Sequence, residues 1–166
     1  LWRTAWHFIF VLANVLLAIL IGAALGNVVR GVPLGADGKF SLAFFTNFSP
    51  LGHVGILDWF TVSCAVFILV TFAAHGANAL VLKTNGPVQE RSRRLAGFLW
   101  KVVAALLVVV TLETWRVRPE IFSGMMHKPF AWLGLAGVIG GAMMIFTGLR
   151  GKGELRAVLG SSLFIA

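Results

Sequence analysis

Charge is what this chain has least of. Only 12% of its 166 residues are Asp, Glu, Lys or Arg, whereas a soluble domain carries about 25% because its surface must face water. That shortage excludes a soluble globular enzyme, and it excludes disorder more firmly, since disordered chains are polar and charge-rich. Cysteine is limited to Cys64, so a disulfide scaffold is excluded by count. Acidic residues number six against 14 Lys and Arg, for a formal charge of +8. On a soluble surface that excess would suggest nucleic acid. Here the basic residues fall between long apolar runs, which points to membrane lipid and to no nucleic acid.

What the chain has instead is hydrophobicity: 58% apolar residues and a mean hydropathy of +0.90. Four apolar stretches are long enough to cross a hydrocarbon core of about 30 Å, which takes about 20 helical residues. They run over about 8–29, 56–82, 95–115 and 130–149, and a fifth, 155–166, is expected to be a truncated span. Helices are the expected state, because open sheet edges are not tolerated in lipid and the runs lack the alternation of barrel strands. The fold class is therefore all-α: a multi-spanning transmembrane helical bundle in a single membrane region. Starting at Leu1 and stopping inside an apolar run, the chain reads as a fragment of a longer subunit.

The connections carry the turn chemistry and most of the charge. Arg30 to Val54 contains Gly-Val-Pro, Ala-Asp-Gly and Ser-Pro. Lys83 to Arg94 is short and basic, Arg116 to Pro129 has Pro119 and Pro129 as helix stops, and Arg150 to Glu154 is very short. Eight Lys and Arg flank the N-terminus and the second and fourth connections, against five on the other side. Lys101 lies close enough to the 83–94 connection to snorkel there. The positive-inside rule then makes the N-terminus and the 83–94 loop cytoplasmic.

Ionisable groups inside a membrane are functional candidates by default. His75 is the deepest, with Gly76 beside it to admit another helix and Asn78 on the same helical face. A haem ligand, a proton relay or a quinone contact are the functional readings, and an interhelical hydrogen bond is the structural reading that outweighs them. A buried haem usually takes two axial ligands from facing helices. His7, His53 and His127 fall at span edges or in connections, and Met143 and Met144 read as packing. Asp58, in Gly-Ile-Leu-Asp-Trp-Phe, sits where a carboxylate caps a helix start, with a proton-path role as the lesser alternative and Trp59 as an interfacial anchor. Glu113 is expected to form an interfacial ion pair with Arg116, which is also spaced to reach Glu120. Gly134, Gly137, Gly140, Gly141 and Gly148 predict close helix contact along the fourth span. No P-loop, metal-ligand cluster or nucleophile–base set is present, so no catalytic, cofactor-binding or metal residue is assigned.

The ordered motifs carry further. Gly26-Asn27-Val28-Val29-Arg30-Gly31-Val32-Pro33 is followed by Phe44-Phe45-Thr46-Asn47-Phe48 and Gly55-Ile56-Leu57-Asp58-Trp59-Phe60-Thr61-Val62. Then come His75-Gly76-Ala77, Leu82-Lys83-Thr84, Glu90-Arg91-Ser92-Arg93-Arg94-Leu95-Ala96 and Gly160-Ser161-Ser162-Leu163-Phe164. In this order the chain closely resembles subunit II of the cytochrome bd quinol oxidases, including their cyanide-insensitive relatives, over essentially its whole length. The resemblance implies a subunit of a respiratory complex in the bacterial inner membrane that oxidises quinol and reduces dioxygen to water. It implies b-type and d-type haems in a partner, subunit I, with none ligated by this chain. It also implies quinone and lipid as further partners, and a role for subunit II in completing the interface and in gas or proton access. Against the family pattern the early helices and the last one are missing, so family residues located there cannot be carried over. Two other classes fit the composition: a fragment of a polytopic transporter, whose mark would be broken helices at mid-membrane, and a purely structural membrane subunit.

Overall fold

The structure, a computed structural model, describes residues 2–31, 43–50, 52–151 and 153–166. Val32, Pro33, Lys39 and the Ala36-Asp37-Gly38 turn of the first connection, and Lys152 of the fourth, lie outside the described residues. Six helices follow in order: α1 (Trp2–Arg30), α2 (Trp59–Lys83), α3 (Pro87–Val117), α4 (Pro119–Met126), α5 (Pro129–Arg150) and α6 (Glu154–Ile165). Among the described residues there is no strand, only one isolated bridge between Phe45 and Leu57. Helices α1, α2, α3 and α5 are long and apolar enough to cross a membrane.

Helix bounds differ from the apolar runs for identifiable reasons. The 83–94 segment, expected as a connection, is mostly helix: Pro87 opens α3, a position that needs no amide donor, and only 84–86 remain outside. Gly86 makes the turn with φ +68°, a conformation costly for a side chain. Pro119 and Pro129, expected as stops, also start the next helices, so 116–129 contains α4. At about 1.5 Å per residue the 31 residues of α3 reach about 46 Å, well beyond hydrocarbon.

The chain divides into two compact units, Leu1–Leu69 with Leu106–Arg118, and Val70–Ala105 with Pro119–Ala166, so α2 and α3 each contribute to both. In the first unit α1 meets α2 through Gly22 and Gly26. A Cβ added at Gly22 would stand 2.5 Å from the Ala65 Cα, and one at Gly26 would stand 3.1 Å from the Thr61 Cα. This small-xxx-small pair lets the two backbones touch. Gly31 ends α1 with φ +81°, its amide returning to the Asn27 carbonyl at 3.0 Å.

In the second unit α6 is the common neighbour. Its buried stripe of Ala157, Gly160 and Ser161 lies against α5, where a Cβ at Gly141 would meet the Gly160 carbonyl at 2.7 Å and one at Gly148 the Ala157 amide at 2.7 Å. Trp100 of α3 packs edge-on to Phe164, ring centres 5.3 Å apart, at the end of a buried face formed by Ser92, Ala96, Trp100 and Val103. The glycine expectation for α5 therefore holds at Gly141 and Gly148. Gly134 and Gly140 have nothing within 4 Å of an added Cβ. Gly76, expected to admit a helix, likewise faces open space.

Neighbouring glycines should thus respond in opposite ways. Gly141→Ala forces a methyl into backbone and is expected to destabilise by roughly 1–3 kcal/mol. Gly140→Ala should be neutral or stabilising by up to about 1 kcal/mol through helix propensity. Midpoints of detergent-induced unfolding of the full-length protein would read both, and equal midpoints would contradict the α5–α6 contact.

Candidate functional site

Each unit holds a constellation of buried polar residues. In the first, Asp58 precedes α2 and is 2% exposed. Its Oδ1 accepts the amides of Phe60 and Thr61, each at 3.1 Å, so it is the N-cap expected from its position. Thr61 Oγ1 in turn accepts the Asp58 amide at 2.9 Å, a reciprocal closure like that of a capping box.

The sequence reading missed the partner that gives this cap its charge balance. Arg30, at the last turn of α1, pairs in a fork with both Asp58 oxygens, Nη1 to Oδ2 and Nη2 to Oδ1. The side chains are only 9% and 3% exposed, and the Arg30 guanidinium also lies 5.8 Å from the centre of the Phe60 ring. A buried carboxylate and guanidinium are tolerable only because each answers the other in this planar geometry. Three more contacts tie the same region together. Asn27 Nδ2 donates to the Ile56 carbonyl at 2.9 Å. Arg118 Nη1 donates to the Arg30 carbonyl at 2.6 Å, closing the end of α1. The amides of Ile56 and Leu57 reach the Ala43 and Phe44 carbonyls at 3.0 and 2.9 Å. Arg30 and Asp58 stand at the two ends of the connection that joins α1 to α2, which makes the pair a candidate in sequence but does not by itself bring the side chains together.

Beside the pair is a polar cavity of about 360 Å³, lined by Arg30, Asp58, His53 and Arg116 among others. Glu113 belongs to the same unit but does not take Arg116. Its Oε1 accepts from Ser63 of α2 at 3.0 Å, and its Oε2 is buried without a protein partner. The ion pair expected at i,i+3 is thus replaced by an interhelical hydrogen bond, because Glu113 is turned into the helix contact while Arg116 is exposed.

In the second unit His75 and Asn78 both reach α6. His75 Nδ1 lies 2.8 Å from Ser161 Oγ, and Asn78, fully buried, donates from Nδ2 to the Ala157 carbonyl at 3.2 Å. The one-turn spacing on α2 matches that of Ala157 and Ser161 on α6, so two contacts fix the register of the pair. Arg93 of α3 adds Glu154 at 2.5 Å and the Leu149 carbonyl at 3.3 Å.

Other axial donors in this unit are not placed for a haem. His127 bonds to the Ser123 carbonyl of its own helix at 3.0 Å, Met143 is 64% exposed, and the Met144 Cβ is pressed to Gly160. Among the described residues no three His, Cys, Asp or Glu are grouped to hold a metal ion. Among the described residues His127, Met143 and Met144 therefore do not supply the second axial side chain that a six-coordinate haem would take opposite His75.

Four apolar helices whose polar side chains answer one another at helix ends and helix contacts define a multi-pass helical membrane protein. The chain belongs to the cytochrome bd terminal oxidase subunit II family, whose sequence profile matches residues 1–166. It is 28% identical over 113 residues to the probable cytochrome oxidase subunit 2 of Haemophilus influenzae, a match covering 67% of this chain and 29% of that protein. To the cytochrome bd-I ubiquinol oxidase subunit 2 of Escherichia coli K12 it is 29% identical over 109 residues, covering 66% of this chain and 26% of that protein. The matched stretch is thus between a quarter and a third of either relative. The family decides against the transporter alternative, and α1, α2, α3 and α5 run unbroken.

The fork between Arg30 and Asp58 predicts non-additive substitutions. Asp58→Leu strands a buried guanidinium and removes the cap, at a cost of roughly 3–5 kcal/mol. Arg30→Met leaves Asp58 with its two amide donors and should cost less. The double variant should be more stable than the sum of the two losses implies. Unfolding midpoints of the four proteins check this, and strict additivity would show that the pair does not couple.

Proposed function

We propose that this chain is a membrane-embedded part of subunit II of a quinol oxidase complex that reduces dioxygen to water, and that it serves the haem-bearing subunit I without ligating haem itself. The observation that carries the reading is the family match over the whole chain, with the E. coli relative being a ubiquinol oxidase subunit. Support for the absence of ligation comes from the described donors beside His75: His127 is bonded within its own helix and Met143 is exposed. Haem binding by the complex supplies the redox chemistry. The part played by these residues is to hold packed helices that keep lipid and water away from the partner's haems and shape the passage of a small apolar gas. His75 and Asn78 are positioning residues in this reading, and Asp58 anchors two helix ends.

Affinity purification of the full-length subunit from bacterial membranes tests the proposal. A haem-bearing polypeptide should co-purify, with a Soret band and quinol-dependent oxygen uptake. A folded subunit emerging alone, without haem or oxidase activity, would overturn it. His75→Leu should lower the yield of assembled complex while leaving the haem spectrum of each assembled complex unchanged; loss of one haem band there would make His75 a ligand.

The same reading places the N-terminus and the 84–86 turn in the cytoplasm of a bacterial inner-membrane protein. The charge bias in its support is stronger than a plain count. Arg30, on the opposite side, is buried with Asp58 and is not a free loop charge. In a Cys64→Ser background, Asn85→Cys should resist an impermeant thiol reagent in intact cells and react after lysis. Labelling from outside would invert the topology.

A further inference from the structure

The second unit carries a basic cavity in which, of the cations, only Arg93 is taken up by the contacts above. Its volume is about 400 Å³, and it lies between α3 and α5. Arg94, Gly97, Phe98 and Lys101 fall at i, i+3, i+4 and i+7 on α3, and Phe146, Leu149 and Arg150 at i, i+3 and i+4 on α5, so each helix offers one continuous face. The α3 face is distinct from the buried one formed by Ser92, Ala96, Trp100 and Val103. Arg150 closes α5 while Phe146 lies one turn earlier, so the α5 wall is basic at its end and apolar below.

The cations differ in how far they are already satisfied. Arg93 is held by Glu154 and the Leu149 carbonyl. Arg94 meets only the exposed Glu90 at 3.7 Å, a contact of little strength in water. Lys101 and Arg150 have no ion pair or hydrogen bond among the described residues, and no lining residue is acidic. Three under-neutralised cations line one cavity, and their shared complement is a phosphate. The lining beside them is apolar, with Phe98 63% exposed and open space where a Gly97 Cβ would stand. A phosphate joined to hydrocarbon meets both demands at once, which a free anion does not.

We propose that this cavity is a binding site for an anionic phospholipid, its phosphate between Arg94, Lys101 and Arg150 and its acyl chains along Phe98, Phe146 and Leu149. Basic pockets between membrane helices recognise lipid head groups in this way.

Spin-labelled phosphatidylglycerol and phosphatidylcholine, each added to the purified complex in phosphatidylcholine vesicles, measure the preference directly. The unaltered complex should immobilise phosphatidylglycerol preferentially. Lys101→Gln should lower the preference about fivefold, from about 1 kcal/mol per basic residue, and Lys101→Gln with Arg150→Gln should nearly abolish it. Gly97→Trp fills the cavity with no change of charge and should also release the lipid, whereas Arg3→Gln, a change of equal charge elsewhere, should not. Inorganic phosphate should leave the bound lipid in place. A complex without preference, a double variant that keeps it, or displacement by inorganic phosphate would each overturn the proposal.

Discussion

Helices in hydrocarbon gain nothing by hiding apolar side chains from lipid, so close contact has to come from small residues and from polar groups that find one another. Both units rest on that constraint. Gly22 and Gly26 bring α1 onto the backbone of α2 at Thr61 and Ala65, and only at that distance does Arg30 reach Asp58. Gly141, Gly148 and Gly160 bring α5 and α6 together, leaving α6 placed to meet His75 and Asn78 of α2. The polar contacts fix register; the glycines make them reachable. A larger residue in the glycine seam would therefore act on the ion pair or the histidine contact without touching either.

Much of the remaining surface is apolar and unclaimed by the chain. Trp2, Phe8 and Phe10 of α1, and Phe130 and Leu133 of α5, are each more than 60% exposed. Lipid and a larger membrane partner satisfy such a surface in the same way. This is why the internal polar groups, and not the exterior, distinguish a subunit that merely packs from one that performs chemistry. Here those groups cap helix ends or bridge helices.

The fold was largely legible because a bilayer restricts the answer. Continuous apolar runs of about 20 residues have one sensible conformation, and four of them became four long helices. Proline and glycine in the connections misled at the boundaries, since Pro87, Pro119 and Pro129 begin helices as readily as they end them. The candidate site was legible in part. Asp58 could be placed as a cap because capping is local, a matter of two or three residues. Its pairing with Arg30, and the turn of Glu113 toward Ser63 rather than Arg116, depend on which helices are neighbours and on how each is rotated. Spacing along one helix carries no such information. The Gly22–Gly26 pair is the clearest missed signal: it stood at four-residue spacing in the first span while attention went to the richer glycine run of the fourth.

Arginine is the residue type on which these levels meet. Arg118 donates to the last carbonyl of α1, and Arg93 to the Leu149 carbonyl in the last turn of α5, each placing positive charge at the negative end of a helix. Arg30 goes to a buried carboxylate. These three are fixed by partners inside the protein and contribute little to the field that the chain shows to a membrane surface. Among the described residues Lys101 and Arg150 have no such partners, and both are exposed. A basic residue's meaning in this protein is therefore set by its neighbour and not by its sign: the satisfied ones build the fold, and the unsatisfied ones face outward.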